Sequence, residues 1–225
     1  MANTDTLRKS SKGGRPSNGT LEQRLEQLLE DATQVFLQRG YSSASLDLIA
    51  REAHVAKRTI YQHFGDKEEL FGAVVRRLSR NVFATLPQAE DSSQSVEQVL
   101  STLAQGVLTL VLSPEAMGLQ RVVVGEADRF PRLAQQFYTN GPQRGITALA
   151  HYLTNQQQLG TLQLEDPTTA ATHFFSLVMG EFYLQALLGV IELPNAEQIN
   201  QHASSITHLF LCGYSSQLGS AVKRR

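Results

Sequence analysis

"VAKRTIYQHFGDKEEL", residues 55–70, decides how the rest of the chain is read. Lys57, Arg58, Thr59, Tyr61, Gln62 and His63 crowd into two helical turns, and only Ile60 and Phe64 have the character of core residues. Those two are four apart and share one face, so most of the helix surface carries polar groups that reach outward. Just upstream, Ser45 is placed as an N-cap, Asp47 follows in the first turn, and Leu46, Ile49, Ala50 and Ala53 form a short apolar face. A turn at His54-Val55 separates this helix from the next. Asp66 caps a further helix whose first turn holds Glu68 and Glu69, favourable against the helix dipole. A short helix, a tight turn and a second helix with an exposed polar N-terminal face form a helix-turn-helix pattern.

The residue types suit contact with a duplex. Arg58 and Lys57 can donate to guanine O6 and N7, and Thr59 offers a hydroxyl to a base or a methyl to thymine. Tyr61, Gln62 and His63 have the reach and donors for phosphate oxygens. Lys67 would add its ammonium to free backbone N–H groups at a helix start, and Ser45 could hold a phosphate in the same way. The competing explanation is an ordinary solvated helix with a charged face, because such patterns are weak locally.

Charge divides the chain. Residues 1–80 carry thirteen Lys and Arg against ten Asp and Glu, whereas residues 81–222 carry four Arg against eleven acids; with the terminal Lys223, Arg224 and Arg225 the net charge is −1. A polyanion is therefore expected at the basic end. The single cysteine, Cys212, excludes an internal disulfide, suits a reducing cytoplasm, and reads as a small core hydrophobe. No apolar run reaches the roughly 18–20 residues of a membrane span, and the N-terminus lacks a signal-like apolar region, so a cytoplasmic protein with no membrane partner is expected.

Working outward, residues 1–20 read as a disordered basic arm, with "SKGGRPSNG" rich in Gly and Ser. Leu21 to Arg39 has helical periodicity and ends at Gly40, a residue suited to a left-handed stop. Further helices are expected at about 94–112, 115–129, 131–138, 142–158, 167–189 and 196–217, several starting at a proline. Only "GTLQLED", residues 160–166, has the character of extended chain. The fold class is all-α: an arm over 1–20, a helix-turn-helix domain over 21–66, and a helical regulatory and dimerisation domain over 67–225, connected by a helix over 67–86.

"SLDLIAREAHVAKRTIYQHFGDKEELF", with Phe36 and "RGY" ahead of it, closely resembles the N-terminal domain of TetR/AcrR-type transcriptional regulators over about residues 24–72. The resemblance implies that Lys57, Arg58, Thr59 and Gln62 face bases while Ser45, Tyr61, His63 and Lys67 grip phosphates. Two positions depart from the family pattern: His54 stands where a turn glycine is usual, and Ala56 where a capping Ser is usual. "GGRPSNG" resembles arms that lie in an A·T minor groove, with Arg15 as the inserted cation. "RVVVGEADRFPRLAQQFYTNGPQRGITALAHYL" and "GTLQLEDPTTAATHFFSLVMG" look like the C-terminal domain of the AefR-like subgroup, which implies dimerisation and small-molecule sensing.

In the acidic body, Phe174, Phe175, Met179 and Phe182 concentrate soft and aromatic side chains, and are read either as plain core or as the lining of an effector pocket facing residues 94–129. Arg121 and Glu126 are the charges expected to be partly buried there. Ser176 and Gly180 allow close helix approach, and Ile199, Ala203, Ile206 and Phe210 form a stripe, so these residues are expected at a homodimer interface. No metal or cofactor is expected: there is no His pair at i, i+4, no H-E-x-x-H, no G-x-S-x-G and no phosphate-binding glycine loop. The reading is a non-enzymatic, ligand-responsive regulator, most readily a repressor, on a palindromic double-stranded operator; an all-α enzyme or a non-DNA adaptor is the alternative.

Overall fold

The computed structural model describes residues 20–87 and 94–214. Ten helices make up this part of the chain: α1 (Leu21–Ser43), α2 (Leu46–Glu52), α3 (Lys57–Phe64), α4 (Lys67–Phe83), α5 (Val96–Val111), α6 (Pro114–Glu126), α7 (Pro131–Asn140), α8 (Pro142–Gln158), α9 (Pro167–Leu188) and α10 (Ala196–Tyr214). Their starts follow from local chemistry. Thr20 and Ser95 form capping boxes with Gln23 and Gln98, and proline opens α6, α7, α8 and α9, where its missing N–H has no partner to lose. Gly40 takes φ 72° and ends the regular part of α1 before Tyr41 turns inward.

Two apolar cores result. The first gathers Leu28, Phe36 and Tyr41 of α1, Ile49 of α2, Ile60 of α3 and Leu70, Phe71 and Val74 of α4. Phe36, Tyr41 and Phe71 meet as a three-ring cluster with centroids 5.1–5.9 Å apart. Leu119 and Val123 of α6 and Leu133 of α7 complete this core, so the body packs directly against the helix-turn-helix unit. Arg77 of α4 reaches Glu26 and Glu30 of α1 at 2.7 and 2.5 Å, fixing α4 across the unit. The second core lies among α5, α8, α9 and α10 around Leu100, Leu103, Leu108, Leu153, Phe174 and Phe210.

The region 160–166 forms only an isolated bridge, with the Gln163 N–H donating to the Tyr214 carbonyl at 3.2 Å and Leu162 and Leu164 buried. Three expectations change. Cys212 is exposed, its Sγ 3.6 Å from His208 Nε2, because the inward face of α10 is taken by other residues. Helix α9 is not continuous: Gly180 breaks it with φ 48° and ψ −160°, a backbone state that glycine reaches cheaply. Arg121 is exposed rather than partly buried, its guanidinium donating to the Leu187 carbonyl at 3.0 Å and the Ala186 carbonyl at 3.3 Å at the C-terminal end of α9. Free carbonyls at a helix C-terminus attract a cation, which explains its place. No single helix among the described residues is long and apolar enough to cross a membrane.

Candidate nucleic-acid interface and inner cavity

The α2–turn–α3 unit is held by its backbone. The Ser45 hydroxyl accepts from the Leu48 N–H at 3.1 Å, and the Val55 N–H donates to the Ala50 carbonyl at 3.0 Å. Between them His54 takes φ 51°, the left-handed turn conformation that glycine adopts more easily. Ala56 opens α3 with no side-chain cap. Ile60 is fully buried and pins the helix to the core, while Arg58, Tyr61, Gln62 and His63 are exposed and Lys57 and Thr59 half-buried. Six of the residues singled out for base and phosphate contact (Lys57, Arg58, Thr59, Tyr61, Gln62 and His63) therefore share one small helix, with Ser45 at the start of α2 and Lys67 at the start of α4.

Two ion pairs at this face escape sequence reasoning. Lys57 Nζ lies 2.8 Å from Asp47 Oδ2, and that hydrogen bond raises the Lys57 pKa. Both groups are largely solvated, so a phosphate can compete for the ammonium. Asp66 caps α4 through the Glu69 N–H at 2.8 Å and accepts from Arg132 of α7 at 2.9 Å; the backbone N–H first, and Arg132 with it, lower its pKa.

Lys67, expected at a phosphate, is engaged within the chain. Its ammonium donates to the Tyr41 carbonyl at 2.8 Å and sits 4.1 Å from the Tyr41 ring centroid and 5.8 Å from that of Phe130. Desolvation in this setting lowers its pKa. The ammonium sits at the α1–α7 junction, where one carbonyl and the Tyr41 ring take up part of its donor capacity. Arg15 lies outside the described residues.

In the body, a cavity of about 210 Å³ opens between α4, α5, α6, α7, α8 and α9. Phe175 and Met179 line it, together with Val75, Leu78, Ser79 and Phe83 of α4. Phe174, Phe182 and Arg121 do not. Phe174 is fully buried against Phe210 and Phe175, with centroids 5.2 and 5.9 Å away; Phe182 stacks on His202 at 5.7 Å. Phe174 points about 100° round the helix from Phe175, and here that direction leads into the core beside Phe210. The α4 contributors and Gln120 were missed because their partners lie far away in sequence.

The expected dimer stripe on α10 also needs correction. Ala203 and Phe210 are buried, and Ile199 and Ile206 pack on the same core, so the stripe is filled within the subunit. Ser176 and Gly180 remain exposed. They belong to a set spaced by four in sequence, Thr172 and Ser176 before the break at Gly180 and Leu184 and Leu188 after it, in which every residue is exposed. Leu184, Leu188 and Leu209 of α10 stand 53, 67 and 56% exposed in the single chain.

Known proteins resemble this chain in sequence and fold. Residues 28–74 match the family model for bacterial regulatory proteins of the tetR family, and residues 98–216 match the AefR-like transcriptional repressor C-terminal domain. The chain is 31% identical over 140 residues to the HTH-type transcriptional activator FasR of Mycolicibacterium smegmatis, covering 60% of this chain and 64% of FasR, less than two thirds of that relative. It is 27% identical over 196 residues to the HTH-type transcriptional regulator YvkB of Bacillus subtilis, covering 85% of this chain and 97% of YvkB. Among solved structures, the flavonoid-responsive regulator FrrA has 31% identity and a TM-score of 0.69 over 87% of this chain and 98% of its own. A TetR-family regulator from Mesorhizobium loti has 26% identity and a TM-score of 0.73 over 88% and 100%. The chain belongs to the TetR family and is a DNA-binding transcriptional regulator with an AefR-like C-terminal domain.

Proposed function

We propose that this regulator binds a palindromic operator as a homodimer and releases it when a small lipophilic effector fills the cavity of the body. As a TetR-type regulator it is not an enzyme. The observation that carries the reading is the double membership of α4. Leu70, Phe71 and Val74 belong to the core that seats α3, while Val75, next in the chain, and Leu78, Ser79 and Phe83 beyond it line the cavity. Any occupant that favours a different setting of α4 changes how α3 is presented, which is a coupling free energy between two sites. Arg58, Thr59, Lys57 and Gln62 read bases; Ser45, Tyr61 and His63 hold phosphates.

The exposed set on α9, with Leu209 on α10, supports a two-fold interface in which these helices pair with their copies. Such a dimer presents two recognition helices about 34–36 Å apart, one turn of duplex. The AefR-like match, described as a repressor domain, supports release as the outcome of effector binding. FasR, described as an activator, is the reason to keep the opposite sign as a second reading. Footprinting of the full-length protein on sheared genomic DNA, with molecular mass followed by light scattering, tests the proposal. A palindromic footprint from a dimer is expected, and Leu184→Glu with Leu188→Glu should yield a monomer that no longer protects it. A monomeric native protein with an asymmetric half-length footprint would sink the dimer reading. A transcription assay from the footprinted promoter, in which added protein raises transcript, would reverse the sign.

A further inference from the structure

We propose that the cavity takes an uncharged lipophile about the size of one substituted ring, bearing a single hydroxyl or carbonyl group that the Gln120 amide holds. This rests on the reading of the cavity as the effector site and specifies the chemistry of its occupant.

Charge is the first argument. None of the side chains that line the cavity is an Asp, Glu, Lys, Arg or His. An ionised carboxylate, phosphate or ammonium placed there would lose its hydration with no counter-charge to replace it. Arg121, next in the chain to Gln120, is already committed to the carbonyls of Ala186 and Leu187. Polarity is the second. Ser79 and Gln120 supply the only polar side chains of the lining. The Ser79 hydroxyl is engaged with the Val75 and Arg76 carbonyls of its own helix at 3.2 and 3.3 Å. The half-buried Gln120 amide has no hydrogen-bond partner among the described residues. An amide both donates and accepts, so it suits a hydroxyl or a carbonyl equally.

Size and shape complete the case. A cavity of about 150 Å³ in a protein core accommodates benzene; about 210 Å³ leaves room for one ring with a short substituent. Phe83, Phe137 and Phe175 present ring surfaces and Met179 an adaptable thioether. Gly145 preserves the arrangement: a Cβ there would come within 2.7 Å of Phe83 Cζ and 3.3 Å of Phe175 Cζ, the two rings that meet edge to face at 6.5 Å.

The test uses the full chain with 13C-labelled methionine methyls. The chain has three methionines, and Met179 lines the cavity. Four probes share one skeleton: propylbenzene, 4-propylphenol (neutral at pH 7), 4-propylbenzoate and 4-propylphenyltrimethylammonium. Propylbenzene and 4-propylphenol are expected to shift the Met179 resonance, and the two ions to fail at about 100-fold higher concentration. Gln120→Leu should weaken 4-propylphenol about three- to tenfold and leave propylbenzene unchanged. Phe175→Trp, which fills the cavity, should abolish both shifts. Binding of either ion as tightly as the phenol, with Met179 shifted, would overturn the neutral class while leaving the cavity as the sensor site. Equal weakening of phenol and propylbenzene by Gln120→Leu would remove the amide from the proposal. A folded protein whose Met179 responds to none of the four would overturn both this proposal and the cavity reading beneath it.

Discussion

The recognition unit and the body use helices in opposite ways. Helix α3 is eight residues long, buries only Ile60 completely, and presents most of its side chains to solvent. Helix α9 is 22 residues long, buries Phe174, Val178 and Tyr183, and turns Phe175 and Met179 onto the cavity. One surface is assembled from neighbours within about twenty residues of each other; the other needs six helices spread from α4 to α9. Substitutions should therefore separate cleanly. Changes at the outward positions of α3 should alter DNA binding without unfolding anything, and changes at the α4 junction should affect everything.

The largest effect tests that junction. Phe71 is fully buried against Phe36 and Tyr41. Phe71→Ala should destabilise the protein by about 3–5 kcal/mol in urea unfolding. DNA binding should be lost with it, since the same ring cluster seats α3. A variant that unfolds only the helix-turn-helix unit, leaving the body's transition unchanged, would show that the two cores are less coupled than α4 suggests.

Next come the outward residues. Arg58→Ala and Thr59→Ala should each cost about 1–3 kcal/mol against the best operator and relax base preference at one position. Stability should stay within about 0.5 kcal/mol for the solvated Arg58 and within about 1 kcal/mol for the half-buried Thr59. Operator titrations beside thermal melts check this. A loss of affinity shared equally by all duplexes would move the residue from base to phosphate contact.

How far each region could be read from sequence follows the same division. The Ser45 and Asp66 caps, the Gly40 stop, the strained turn at His54 and the uncapped Ala56 are all set within four residues, and each was visible in the residue order. The α10 stripe of Ile199, Ala203, Ile206 and Phe210 was visible too, but periodicity cannot say whether an apolar face meets its own subunit or another. Gly180 could not be told from a packing glycine, because smallness and positive φ ask for the same residue. The internal partner of Lys67 was hidden for a related reason. The lysine's place at a helix start was readable, but the Tyr41 carbonyl 26 residues away was not.

Lys67 supplies the third prediction. Lys67→Met keeps the apolar stem and removes the ammonium from the Tyr41 carbonyl. Because that carbonyl also accepts from the Ala44 N–H at 3.3 Å, the expected loss of stability is about 1 kcal/mol. The salt dependence of DNA binding should not change. A fall of about one unit in the slope of log K against log salt would instead return Lys67 to the phosphate backbone.

The smallest effect belongs to Asp66, and it carries a definite sign. Its pKa is held below the ordinary 3.8 by the Glu69 N–H first and by Arg132 as well. A carboxylate whose folded pKa is depressed contributes stability above its unfolded pKa and loses it as pH falls through the folded value. The contribution should therefore be complete at pH 6, begin to fall near pH 4–5, and vanish well below pH 3.8. The Asp66 side chain is 41% exposed, so after solvent screening the whole effect should be a fraction of about 1 kcal/mol. The measurement is the difference in urea midpoint between the native chain and Asp66→Asn from pH 6 to pH 3. Asn still caps a helix but does not titrate, so the difference isolates the charge. The gap should narrow as pH falls. A gap that stays constant would assign the site to capping geometry alone, and a gap that widens would mean that the carboxylate is destabilised by Glu68 and Glu69 more than it is favoured by the α4 N-terminus.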